Sequence, residues 1–353
     1  MDTVVTQTKS KAARSGKVNR LGLTLKDYKG ADSTLCKGCG HDAISSSIMK
    51  SFFELGIEQH TIAKLSGIGC SSKTPNYFFN EAHGFNSVHG RMATIATGVT
   101  VANRKLVNIG VSGDGDTASI GLGHFCHMIR RNVPIVYIVE NNGCYGLTKG
   151  QASATADRGS KMKNGTLIDA DSVDLCELAV QMGCGYVARS FSGDTNQVRA
   201  LIKGAIAYPG AAVLDIISPC VTFNDHEGST KSRQYARDNE DPLHDIDFIP
   251  KYENITIDYD PGTTMMVQMH DGSTITLKKL ELDYDPTNRS NAIKVLESGH
   301  NDGHIHTGLV YFNDSIPTLH DHLDLVDEPL ASLPDSVLRP SEQAFDTIME
   351  SFR

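Results

Sequence analysis

Residues 105–145 read KLVNIGVSGDGDTASIGLGHFCHMIRRNVPIVYIVENNGCY, and this stretch decides the fold. Residues 106–112 and 134–140 are short apolar runs rich in β-branched side chains, expected as buried strands of a parallel sheet. Between them Ala118, Leu122, Phe125, Met128 and Ile129 recur at helical spacing, so the unit is βαβ. Each strand ends in polar residues that a core rejects: Gly113-Asp114-Gly115-Asp116 after the first, Asn141-Asn142 after the second. A right-handed crossover brings those two ends side by side at the carboxyl edge of the sheet, where α/β folds bind ligands.

The residue types at that edge suit a phosphorylated ligand. Gly113 and Gly115 permit a sharp turn and close backbone approach. The helix that follows presents free N–H groups and the positive end of its dipole. Asp114 and the Asn142 side-chain carbonyl are hard oxygen donors that, with two phosphate oxygens, fit a magnesium octahedron. A dinucleotide site is disfavoured, because Gly113 and Gly115 are followed by Ala118 where G-x-G-x-x-G needs its third glycine. GDG, 25 residues, then NN resembles the signature of thiamine-diphosphate enzymes.

Composition bounds the rest. A chain of 353 residues with 39% hydrophobic and 21% charged residues has ample core for a large domain plus an extension. A net charge of −9 gives no electrostatic support for a nucleic-acid partner. No apolar run approaches the ~18 residues of a membrane span, and no signal-peptide pattern opens the sequence, so the expected location is cytoplasmic. Eight cysteines in such a chain point to thiols or thiolate ligands, not a disulfide framework. Residues 1–20 carry five basic side chains against Asp2 and are expected as a flexible arm.

Cys36-Lys-Gly-Cys39-Gly-His41 precedes an amphipathic helix marked by Ile44, Ile48, Phe52 and Leu55. Cys-x-x-Cys serves a redox dithiol, half a zinc site or half an iron–sulfur site. Two more cysteines close apolar, strand-like segments, Cys70 after residues 62–69 and Cys220 after residues 212–219. Both are expected at the ligand edge, so thiols from 36, 39, 70 and 220 gather there. Cys126, Cys176 and Cys184 read as buried small hydrophobes.

Cys-x-x-Cys-Gly-His, GIGCSS, the HGR of His89–Arg91, GDGD…NN and the YGLTKGQ run ending at Gln151 resemble, together and in order, the β subunit of 2-oxoacid:ferredoxin oxidoreductases. The match covers residues 34–225. The resemblance implies thiamine diphosphate, magnesium and one [4Fe–4S] cluster. It assigns Cys36, Cys39, Cys70 and Cys220 to the cluster, and Asp114, Asn142 and the Cys144 carbonyl to magnesium. Cofactor contacts fall on His89, Gly113, Asp114, Gly115, Asp116, Asn142, Gly146, Leu147 and Thr148. Lys73 and Lys149 are candidates to hold a substrate carboxylate or a coenzyme A phosphate as point charges. The family further implies a 2-oxoacid, 2-oxoglutarate ahead of pyruvate, with coenzyme A and ferredoxin. It also implies an α subunit carrying the pyrimidine-binding domain, in an α2β2 assembly. One departure is Ser153-Ala154-Thr155, where relatives commonly have a central proline.

The remaining expectations are helices over 173–182 and 195–207, strands over 185–189 and 212–218, and a charged arm over 226–247. A hairpin follows, from strands 265–269 and 273–280, then a helix over 291–297 and a strand over 309–312. His304 and His306 are expected to face solvent. The fold class is therefore α/β: a doubly wound parallel sheet of the thiamine-diphosphate-binding (diphosphate-domain) type with a C-terminal α+β extension. Its divisions are an arm over 1–20, the cofactor and cluster domain over 21–225, and an arm and extension over 226–353.

Overall fold

The computed structural model describes residues 17–160, 167–218, 220–222, 255–269 and 274–353. Its strands are β1 (Ile62–Ser66), β2 (His83–Asn86), β3 (Val107–Gly113), β4 (Ile135–Asn141), β5 (Cys144–Tyr145), β6 (Gln151–Ala152), β7 (Tyr186–Phe191) and β8 (Ala211–Ile217), then β9 (Thr264–Gln268), β10 (Thr274–Lys279) and β11 (His304–Phe312). The helices against them are α1 (Gly40–Leu55), α2 (Met92–Ala102), α3 (Leu122–Arg130), α4 (Leu175–Gln181), α5 (Thr195–Ala207) and α6 (Arg289–Asp302), followed by α7 (Leu319–Leu323), α8 (Asp335–Leu338) and α9 (Glu342–Glu350).

β2-β1-β3-β4-β8-β7 is a run of parallel strands. Period-2 alternation sends successive side chains to opposite faces. Ile135, Tyr137 and Val139 of β4 join one core with Met92, Phe125, Met128 and Leu175. Val136 and Ile138 join the other, with Ile44, Ile48, Phe52 and Val198. α2, α3, α4 and α6 thus cover one face and α1 and α5 the other, as double winding requires. Each fully buried Ile or Phe contributes on the order of 1.5–3 kcal/mol. Gly56, at φ +60°, caps α1 in the left-handed conformation.

Three local departures from the sequence reading bear on the site. The strand leading to Cys70 stops at Ser66. Gly69, at φ +109°, turns the chain, and Cys70 opens a 3-10 segment, Cys70–Tyr77. After β3 the chain does not enter an α-helix directly. Gly115–Ile120 is a π-helical turn, and α3 starts only at Leu122. Such widened turns occur frequently at functional sites.

The third departure is at the far end. The C-terminal strands continue the main sheet: β11 pairs antiparallel with β7, β10 runs parallel to β11, and β9 closes the edge antiparallel to β10. The expected hairpin is present as β9 and β10, while its turn and the 226–247 arm lie outside the described residues, as do residues 1–16. α6 and β11 extend well beyond 291–297 and 309–312, because the β11 ladder begins at His304 against Thr276 of β10. That pairing buries His306 (6% exposed), correcting the solvent-facing expectation for it, and burial lowers its pKa.

Candidate functional site

Gly113 and Glu140 are register partners in the β3·β4 ladder, so Asp114 and Asn141-Asn142 leave the sheet side by side. Asp114 is buried (1% exposed), and its Oδ1 accepts the Asn142 N–H at 3.2 Å while Oδ2 accepts Thr155 Oγ1 at 2.8 Å. Burial raises the Asp114 pKa against these hydrogen bonds, and no Lys or Arg among the described residues pairs with it. An ionised carboxylate in this setting calls for a cation. The neighbouring oxygens are the Asn142 side chain, which accepts the Cys144 N–H at 3.1 Å, and the backbone of the β5 strand that follows. One carboxylate with amide and carbonyl oxygens is a donor set that fits magnesium on phosphate oxygens.

The π turn shapes the wall beside it. Tyr145 donates its hydroxyl to the Gly115 carbonyl at 2.9 Å, and its ring packs so closely that a Cβ on Gly115 would sit 2.5 Å from it. Asp116 is buried with both oxygens engaged: Oδ1 accepts the Gly90 N–H at 2.6 Å and Oδ2 accepts Ser112 Oγ at 2.9 Å. It therefore fixes the His89–Gly90 turn against the π turn. His89 itself is exposed at the start of α2. Gly146, Leu147, Thr148 and Lys149 form the loop of the β5–β6 hairpin. Leu147, Thr148 and Lys149 are exposed, and Lys149 has a left-handed φ of 79°.

The four cysteines come from α1's approach, from the turn after β1 and from the end of β8. Cys39 caps α1 and is buried; Cys36 is exposed; Cys70 and Cys220 are half-buried. They interact as one electrostatic group: Cys70 is coupled to Cys220 and Cys36, and Cys39 to Cys220. Burial first, then repulsion from Cys220 and Cys36, pushes Cys70 up to about 11, although the Lys73 charge lowers it; burial first, then Glu140 and Cys220, raises Cys39 against a backbone hydrogen bond from His41. Thiols held so high become thiolates at neutral pH only against strong positive charge such as bound iron. Among the described residues no three Cys, His, Asp or Glu side chains converge on one point. Cysteine thiolates are the soft donors that hold iron–sulfur clusters.

Two features escaped the sequence. Cys144 lies against Cys220, and the hydrogen bond between them, with burial, drives the Cys144 thiol far up. The residue whose backbone borders Asn142 thus touches the thiol group with its side chain. Beneath Cys39 is a buried polar knot. His41 Nδ1 meets Ser218 Oγ at 2.5 Å, and Glu140 accepts Thr74 Oγ1 at 3.0 Å and faces His41 Nε2 at 3.7 Å. Burial lowers His41 to about 4 and raises Glu140 well above the usual carboxylate range. A carboxyl at the end of an otherwise apolar β4, just before the asparagine pair, was the available signal.

Residues 65–216 match the family model for the thiamine pyrophosphate enzyme C-terminal TPP binding domain. The 2-oxoacid:ferredoxin oxidoreductase subunit beta of Saccharolobus solfataricus is 40% identical over 212 residues, covering 60% of this chain and 70% of that protein. This chain belongs to that family. A β subunit from Sulfolobus is 42% identical over 191 residues, 54% of this chain and 63% of its own length. Among solved structures, 2-oxoglutarate:ferredoxin oxidoreductase from Magnetococcus marinus matches over 97% of this chain and 99% of that one, with a TM-score of 0.70 and 28% identity. That enzyme was solved with 2-oxoglutarate, coenzyme A and succinyl-CoA bound. The doubly wound parallel sheet is thus a thiamine-diphosphate fold, and the protein is an oxidoreductase subunit. No helix among the described residues is long and apolar enough to cross a membrane.

Proposed function

We propose that this β subunit, with an α subunit, oxidatively decarboxylates a 2-oxoacid in the cytoplasm. 2-Oxoglutarate and coenzyme A give succinyl-CoA and CO2, and two electrons leave singly to ferredoxin. One observation carries the reading: the Asp114–Asn142 pair at the ends of β3 and β4 leads within two residues to Cys144, which lies against Cys220. A diphosphate site and a thiol cluster adjoin. Bound thiamine diphosphate supplies an electron sink for the carbon that loses CO2, and a [4Fe–4S] cluster accepts electrons one at a time.

This chain's residues then have distinct tasks. Asp114, the Asn142 side chain and the Cys144 carbonyl hold magnesium on the diphosphate. Gly113 and Gly115 let the backbone approach it; His89, held by the Asp116–Gly90 bond, and the loop residues Gly146, Leu147 and Thr148 line it. Cys36, Cys39, Cys70 and Cys220 hold the cluster. Lys73, beside Cys70, and the exposed Lys149 bind a substrate carboxylate or a coenzyme A phosphate. The α subunit brings the pyrimidine half of the site, in an α2β2 assembly. Likeness to the Magnetococcus marinus enzyme along nearly the whole chain favours 2-oxoglutarate over pyruvate. A non-redox thiamine decarboxylase has no need of the thiols.

Anaerobic purification tests this. The protein is expected to be brown, with thiolate-to-iron absorption near ~400 nm. Cys220→Ala should lose colour and iron, while Asp114→Ala keeps the colour and loses magnesium-dependent thiamine diphosphate binding by calorimetry. Full iron in the first variant, or unchanged affinity in the second, refutes the respective assignment.

A further inference from the structure

Every residue from 334 to 353 is exposed, yet the segment is not polar. On α9, Phe345, Ile348 and Met349, with Phe352 just beyond it, recur at helical spacing and are 53%, 51%, 45% and 82% exposed. Glu342, Asp346 and Glu350, each four residues apart, form a carboxylate ridge bordering that stripe. The segment is anchored upstream. Leu319 is buried in the core, and Arg104 Nη1 donates to the Leu325 carbonyl at 2.7 Å. An apolar cavity of about 740 Å³ separates residues 329–331 from α2. The tail is thus held beside α2 before it projects outward.

Charge selects the occupant. Residues 319–353 hold eight carboxylates against two arginines. A second copy would set like-charged ridges against each other, and an anionic membrane surface would repel the helix, whose interfacial counterparts are rich in Lys and Arg. A different protein with an apolar groove rimmed by basic side chains fits both features. We propose that α9 and Phe352 dock into such a groove on the α subunit. The proposal rests on the two-subunit reading above and adds where this chain holds its partner.

Two full-length variants test it, Phe345→Ser/Ile348→Ser/Phe352→Ser and Glu342→Lys/Asp346→Lys/Glu350→Lys. Neither touches the core or the cofactor edge, so thiamine diphosphate and iron contents should equal wild type. Affinity for the purified α subunit, by calorimetry at two salt concentrations, is expected to fall at least tenfold in each variant. The loss in the charge variant should shrink at high salt. Wild-type affinity in both variants overturns the proposal. It is also overturned if the isolated wild-type chain forms a dimer that the serine variant abolishes, or binds anionic vesicles. Protection of residues 334–353 from protease in the isolated chain overturns it in favour of docking on the chain's own surface. Failure of the wild type to bind the α subunit removes the two-subunit reading, and this inference with it.

Discussion

At the scale of single residues, Thr155 does for the site what no spacing announces. Its hydroxyl donates to Asp114 Oδ2 at 2.8 Å and lies 3.2 Å from Asn141 Oδ1, joining the ends of β3 and β4 from a loop 41 positions beyond Asp114. Thr155→Val keeps the shape and removes the hydroxyl, leaving a buried carboxylate oxygen short of a partner at a cost of ~1–3 kcal/mol. Chemical denaturation of the apo protein should register that loss, and thiamine diphosphate affinity should drop; Thr155→Ser should restore both. An unchanged denaturation midpoint would show that water replaces the hydroxyl. Asp114 and Asn142 were legible because polar residues interrupt apolar strands there. Thr155 and Tyr145 were not, because their partners are fixed only by tertiary approach.

At the scale of elements, periodicity reads packing faces well and turn geometry poorly. α5 falls where its apolar spacing put it. The π turn does not, since residues 115–120 carry the same spacing whether wound at α or π pitch. The turn is tightly packed: a Cβ on Gly90, at φ +68°, would sit 2.7 Å from the Gly121 nitrogen. β11 was read as a short strand because His304, His306 and Gly308 break its apolar alternation, though the ladder tolerates them. Gly90→Ala tests how the turn serves the site. The left-handed backbone costs an L-residue roughly 1–2 kcal/mol, and the clash with backbone forces the His89 turn outward. A lower melting temperature together with at least tenfold weaker thiamine diphosphate binding is expected. Weaker binding without destabilisation would mean that the turn yields easily.

At the scale of the molecule, the C-terminal residues are wired into the sheet that carries the site. α6 brings His300 within 3.2 Å of Asp174 at the start of α4. Asp174 and Asp215 both bind Arg189 of β7, at 2.5 and 3.1 Å, and Asp215 accepts Asn141 Nδ2 at 3.0 Å. The hydrogen bond to Asp174 raises the His300 pKa although burial opposes it. Burial pushes Asp174 up, but Arg189 and His300 more than offset it and hold the carboxyl well below its usual range. The signs then separate. A raised histidine stabilises fully below its unfolded pKa of about 6.5, and that contribution is lost as pH rises through the higher folded value. A depressed aspartate stabilises above about 3.9, and that contribution is lost only as pH falls toward its folded value. His41, His306 and His320 are lowered, so their contribution runs the other way and is lost on acidification below about 6.5. The wild-type profile mixes these, so the difference between wild type and His300→Gln is the informative quantity. Melting temperatures measured from pH ~5.5 to ~8.5 should show the variant less stable at the acid end. The gap should close as pH rises through the folded His300 pKa, and it should be modest because His300 is 49% exposed in its side chain and solvent screens the pair. A gap that stays constant across that range would assign His300 a packing role, with no proton linked to the Asp174–Arg189–Asp215 chain.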